Sequence, residues 1–81
     1  MNLLIGKIVL GANYLGETYD CRVVDKVRFA SGDDLYLMVR ENGDTFYGKY
    51  IKKVYNKEQA TALWNEKFHK LFSDDGLNIL Q

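Results

Sequence analysis

Leu35-Tyr36-Leu37-Met38-Val39-Arg40-Glu41-Asn42-Gly43-Asp44-Thr45-Phe46-Tyr47-Gly48-Lys49-Tyr50 is the stretch whose reading decides the fold. Two runs of β-branched, aliphatic and aromatic residues flank Asn42-Gly43. An Asn-Gly pair in that setting predicts a hairpin with a two-residue type I′ turn, because both central residues must take positive φ. That turn sets a register. Arg40 then faces Thr45, Val39 faces Phe46, Met38 faces Tyr47, Leu37 faces Gly48, Tyr36 faces Lys49 and Leu35 faces Tyr50. Facing pairs share a side of a sheet. Leu35, Leu37, Val39, Phe46, Gly48 and Tyr50 form the expected core side. Tyr36, Met38, Arg40, Thr45, Tyr47 and Lys49 form the other.

Working outward, residues 3–10 read as a strand and residues 11–16 as a loop. Residues 18–29 read as a second strand. It alternates Tyr19, Cys21, Val23, Val27 and Phe29 against Asp20, Arg22, Val24, Lys26 and Arg28, and Asp25 marks a bend or bulge. Residues 34–41 and 44–51 are the hairpin strands. Beyond Asn56 the period changes. Asn56 and Gln59 are spaced as a capping box. Ala60, Leu63, Trp64, Phe68, Leu71 and Phe72 then recur as one apolar stripe, so residues 57–72 are expected as a helix. Ser73-Asp74-Asp75-Gly76 stops it, and residues 77–80 are long enough for a final short strand.

The expected architecture is mainly β with one C-terminal helix, in one domain. The strand rhythm from Gly16-Glu17-Thr18-Tyr19-Asp20-Cys21 through the Asn-Gly hairpin resembles that of SH3-like and Tudor-like antiparallel barrels. The resemblance covers about half the chain and implies a small bent sheet closing on itself. The alternative is a four-stranded antiparallel sheet with the helix packed on one side.

The composition bounds function. The 81 residues carry eleven Lys+Arg and eleven Asp+Glu, a formal charge of zero. That argues against a generally basic nucleic-acid coat and leaves local patches open. No apolar run reaches the ~20 residues of a membrane helix. The N-terminal run lacks a basic region and is interrupted by Lys7, so no signal peptide is expected. Starting at Met1 and carrying no tag, the chain reads as a complete small protein. The single cysteine, Cys21, allows no intramolecular disulfide and no cysteine-based zinc site. It fits a reducing, cytoplasmic setting.

The candidate chemistry is thin. Gly11-Ala12-Asn13-Tyr14-Leu15-Gly16-Glu17-Thr18 approaches a phosphate-binding loop but has Glu17 where the lysine belongs, and a strand pattern follows. His69 falls on the polar helix face with Glu66 and Lys70. Cys21 alternates inward. Asp33-Asp34 and Asp74-Asp75 sit beside glycines as turn residues. No nucleophile–base pair and no metal-ligand cluster is legible, so the expectation is no enzyme, no cofactor and no metal site.

What remains is a surface. Tyr36, Met38, Arg40, Tyr47 and Lys49, sharing the non-core side of the hairpin, form the expected partner-binding face, unless the helix packs on that side. A non-enzymatic inhibitor, adaptor or regulatory subunit docking on a protein is the first reading. A bacteriophage or mobile-element source with a host target would suit it. The second reading is a small-barrel nucleic-acid binder, with Lys52 and Lys53 adding charge to the tyrosines. A homo-oligomer, a homodimer for example, built by edge-strand pairing or through the Tyr36/Met38/Tyr47 face is the third.

Overall fold

The computed structural model describes residues 4–72. The elements are β1 (Ile8–Ala12), β2 (Thr18–Arg28), β3 (Asp34–Arg40), β4 (Thr45–Gly48), β5 (Tyr50–Val54) and α1 (Lys57–Leu63), which runs into a π turn at Trp64–Phe68. The strands form one antiparallel sheet in the order β4-β3-β2-β1-β5.

The hairpin register differs from the expected one by one residue. Met38 faces Phe46, Leu37 faces Tyr47 and Tyr36 faces Gly48. The loop has three residues, closed by Arg40 N–H donating to the Asp44 carbonyl at 2.7 Å and Gly43 N–H donating to the Arg40 carbonyl at 2.9 Å. Only Gly43 takes positive φ, at 90°, whereas a type I′ turn would need it at Asn42 too. Asn42 instead uses its side chain. Its Oδ1 accepts the Asp44 N–H at 3.0 Å and its Nδ2 donates to the Asp44 carboxylate at 3.1 Å. The β1–β2 and β2–β3 loops repeat the pattern. Asn13 N–H donates to the Glu17 carbonyl with Gly16 at φ 85°, and Phe29 N–H to the Asp33 carbonyl with Gly32 at φ 92°.

A one-residue slip inverts one strand of a pair relative to the other. Phe46 and Gly48 still turn inward as expected, but so does Met38, which is fully buried. Leu35 and Leu37 go to the opposite side. A second irregularity lies in β2, where Val23 faces Met38 and Asp25 faces Leu37, leaving Val24 as the extra residue of a bulge. The bend expected at Asp25 is there. Its consequence is that Val27 pairs with Leu35 on the outer side, away from Cys21 and Val23.

The expected strand over residues 44–51 is two strands. The chain turns at Lys49, and β5 crosses to the far edge, where it pairs with β1. The described residues thus form five strands where four were expected ahead of the helix. β1 starts later than expected, at Ile8 after a turn at residues 4–6, and runs further, through Gly11 and Ala12. A Cβ on Gly11 would stand 2.6 Å from the Met38 sulfur and 2.9 Å from the Cys21 sulfur, so only glycine lets the three pack. Gly48 is equally tight, its missing Cβ falling 2.7 Å from the Ala12 carbonyl oxygen. The sheet curls enough to bring the end of β4 against the end of β1. It does not close, because β4 and β5 share no ladder, so the open sheet with a helix replaces the barrel.

The core has two parts, one on each side of β1. Val9, Cys21, Val23 and Met38 fill the curl, with Tyr36, Phe46 and Ile51 against them. Ile8 meets Ala60, Trp64 and Phe68 of the helix on the other side. The helix starts as the sequence predicts. Asn56 Oδ1 accepts the Gln59 N–H at 2.8 Å, and Gln59 Oε1 accepts the Asn56 N–H at 3.3 Å. The Arg22 guanidinium lies 5.2 Å from the Trp64 ring centre and 4.4 Å from that of Phe72. Lys67 reaches Asp20 at 3.5 Å and Glu41 at 3.0 Å, and the Tyr55 hydroxyl donates to Asp20. These contacts clamp the helix to the sheet. The helix ends at Phe68, short of the expected residue 72, with residues 69–71 in a turn; the stop expected at 73–76 and the short final strand expected at 77–80 lie outside the described residues.

Candidate functional site

The two register irregularities build a cleft at the open end of the hairpin, on the helix side of the sheet but lined by no helix residue. The β2 bulge turns Val27 outward, and Phe29 follows just past the end of the strand. The three-residue hairpin loop puts Leu35 and Tyr47 on the same side. Phe29 and Tyr47 meet edge to face, with ring centres 5.2 Å apart at 83°. The turn at Lys49 adds Lys49 and Tyr50, and the β1–β2 loop adds Asn13 and Tyr14. Together these seven residues line a cleft of about 450 Å³. The volume lies within the ordinary range of binding clefts.

Its walls are unusually exposed for their chemistry. Tyr14 is 91% exposed, Tyr50 62%, Tyr47 48% and Phe29 38%. The loop carrying Tyr14 is nonetheless held. Asn13 Oδ1 accepts the N–H groups of Leu15 and Glu17, both at 3.0 Å, and Asn13 Nδ2 donates to Glu17 at 3.2 Å. The rings are therefore presented on tied backbone, which lowers the ordering cost of binding. No carboxylate lines the cleft, and Lys49 makes no ion pair or hydrogen bond through its side chain among the described residues.

The residues expected to form one partner-binding face are divided between two. Tyr47 and Lys49 line the cleft. Met38 is fully buried inside the curl and cannot touch a partner. Tyr36 is half-buried against the same inner cluster. Arg40 stacks over the Tyr19 ring at 3.8 Å and reaches Asp44 at 3.9 Å. The physical reason is the one-residue slip, which exchanges the two sides of β3 and leaves those of β4 unchanged. Lys52 is exposed on β5, and Lys53 lies over the Tyr55 ring at 5.4 Å.

Sequence reasoning missed Tyr14, Phe29, Leu35 and Tyr50. Leu35 and Tyr50 were expected in the core, Phe29 on the inner side of β2, and Tyr14 in a loop without a role. The available signal was the bulge at Asp25, which flips everything after it in β2.

Elsewhere the chemistry is quiet. The Cys21 thiol is pushed up to about 11, chiefly by burial, partly offset by a backbone hydrogen bond at Gly11 and reinforced by the Asp20 charge. It is a protonated core group at neutral pH. His69 is exposed on the helix. Gly11 and Gly16 precede the strand β2, not a helix. Among the described residues no group of three or more His, Cys, Asp or Glu could hold a metal ion. Among the same residues no helix is long and apolar enough to cross a membrane.

Comparison with family models, with curated proteins and with solved structures gives no match. Fold and site define a small open antiparallel sheet with one C-terminal helix and an aromatic cleft at the open end of the hairpin, away from its Asn42-Gly43 loop.

Proposed function

We propose that the chain is a non-enzymatic binding module that docks on another protein, as an inhibitor, adaptor or regulatory subunit in the cytoplasm. The observation that carries this reading is the cleft. Four large aromatic side chains and Leu35 converge on it and are left open to solvent by both halves of the core. Tyrosines on tied backbone supply contact area at low entropy cost and are enriched where binding energy concentrates. The overall charge of zero favours a protein over a phosphate chain, whose binding draws on neutralised phosphates.

The test pairs wild-type protein with the Tyr47→Ser/Tyr50→Ser double variant as baits in lysate of the source organism or its host, with and without nuclease. Both substituted side chains are exposed, so the variant should keep the wild-type circular dichroism. The reading expects a protein held by wild type in both nuclease conditions and lost from the variant. Capture that vanishes with nuclease would move the assignment to single-stranded nucleic acid, whose bases stack on the same kind of ring. Capture indifferent to the substitutions would remove the cleft from the account.

A further inference from the structure

We infer that the cleft receives a short extended segment of its partner in which a carboxylate neighbours a large apolar or aromatic side chain. The inference rests on the reading of the cleft as a protein-docking surface and adds the chemistry of the docked segment.

Charge is unevenly distributed around the rings. Each carboxylate of the loops beside the cleft has a hydrogen-bond partner, but only Asp34 has a cationic one. Glu17 accepts from the Asn13 amide, and Asp33 accepts from the Ser31 hydroxyl at 3.2 Å. Asp34 is taken by Arg28 at 2.9 Å and reached by Lys26 at 3.9 Å. The cations on the other wall have none. Lys49 lines the cleft and Lys52 follows Tyr50 by two residues in β5. Neither side chain makes an ion pair or hydrogen bond among the described residues. Among the described residues the one charge lining the ring surface is therefore the unpaired Lys49 ammonium, which is complementary to a carboxylate beside an apolar group.

The same distribution disfavours the other occupants. A methylated ammonium would need aromatic faces with a carboxylate, and here the lining cation would repel it. A nucleic-acid strand gains affinity from several neutralised phosphates, and this rim offers two lysines. The cleft volume suits a few side chains of an extended segment, not a folded surface.

The test selects a displayed library of random short peptides on immobilised wild-type protein, with the Tyr47→Ser/Tyr50→Ser variant as the counter-selection. Selected peptides and a fluorescent oligothymidylate are then measured by anisotropy against wild type, Lys49→Glu and Lys49→Arg. The inference expects selected peptides to share Asp or Glu beside Trp, Tyr, Phe or Leu. It expects Lys49→Glu to weaken them by roughly fivefold or more, the scale of one partly exposed ion pair, while Lys49→Arg retains binding. Peptides that need the tyrosines but lack carboxylates, or ignore Lys49→Glu, overturn the acidic segment and leave the docking surface standing. The absence of any peptide dependent on the tyrosines overturns both, as does tight oligothymidylate binding in its place.

Discussion

Met38→Ala separates the observed hairpin from the one expected of Asn42-Gly43. Met38 is fully buried, its sulfur 3.5 Å from the Cys21 sulfur. Truncating a buried methionine to alanine typically costs about 2–5 kcal/mol, more where the walls cannot collapse into the void. Two of these walls are Gly11 and Gly48, which have no side chain to move inward. The cost should therefore be about 3 kcal/mol or more. For a domain of this size each kcal/mol shifts the melting temperature by roughly 4–8 °C, so a loss of about 12–24 °C or more is expected. Urea denaturation followed by circular dichroism, with Leu37→Ala as the companion variant, measures it. The observed register makes Met38→Ala the costlier of the two. In the type I′ register Met38 faces solvent and Leu37 the core. A loss under about 0.5 kcal/mol for Met38→Ala, with a larger one for Leu37→Ala, would refute the register and the cleft built on it.

Other outcomes follow from the same packing. Gly48→Ala should destabilise by about 1–3 kcal/mol in the same urea assay, because its Cβ would press on the Ala12 carbonyl as well as on Met38. Asn56→Ala should lower stability by about 1 kcal/mol through loss of the helix cap, without changing the sheet, as urea unfolding and amide exchange would show. Alkaline stability should fall in two steps. Burial raises Cys21 from 9.0 to about 11. The hydrogen bond to Asp20, with burial and the Asp20 charge, raises Tyr55 from 10.0 to about 12. A raised folded-state pKa stabilises fully below the unfolded value and is lost as pH rises through the folded one. The loss should therefore run from about pH 9 to 12, and Tyr55→Phe should remove its upper part in a stability-against-pH series.

The helix was legible because its signals agree. The Asn56 cap, the Gln59 partner and the 3.6-residue stripe all select one start and one buried face. The Asp25 irregularity was legible because a charge interrupts an apolar alternation. The hairpin register was not. Leu35, Leu37, Met38 and Val39 are apolar on both sides of β3, so alternation cannot arbitrate a one-residue slip. The arbitrating signal was spread over the chain. Asn13-Tyr14-Leu15-Gly16-Glu17, Phe29-Ala30-Ser31-Gly32-Asp33 and Arg40-Glu41-Asn42-Gly43-Asp44 each place glycine fourth and an acid fifth, and each folds as a three-residue loop. Viewed alone, Asn42-Gly43 favours a shorter turn; viewed with the other two loops, it does not. The crossing of β5 to the far edge depends on Gly48 fitting beside Ala12, a tertiary contact that no local pattern announces. Half of the cleft follows from that crossing and the other half from the bulge.

The most direct measurement is the set of nuclear Overhauser contacts of the Met38 methyl group in solution. The account predicts contacts to the α-protons of Gly11 and Gly48, together with ring-to-ring contacts between Phe29 and Tyr47. Contacts from the Met38 methyl to the Tyr47 ring, with none to either glycine, would contradict it.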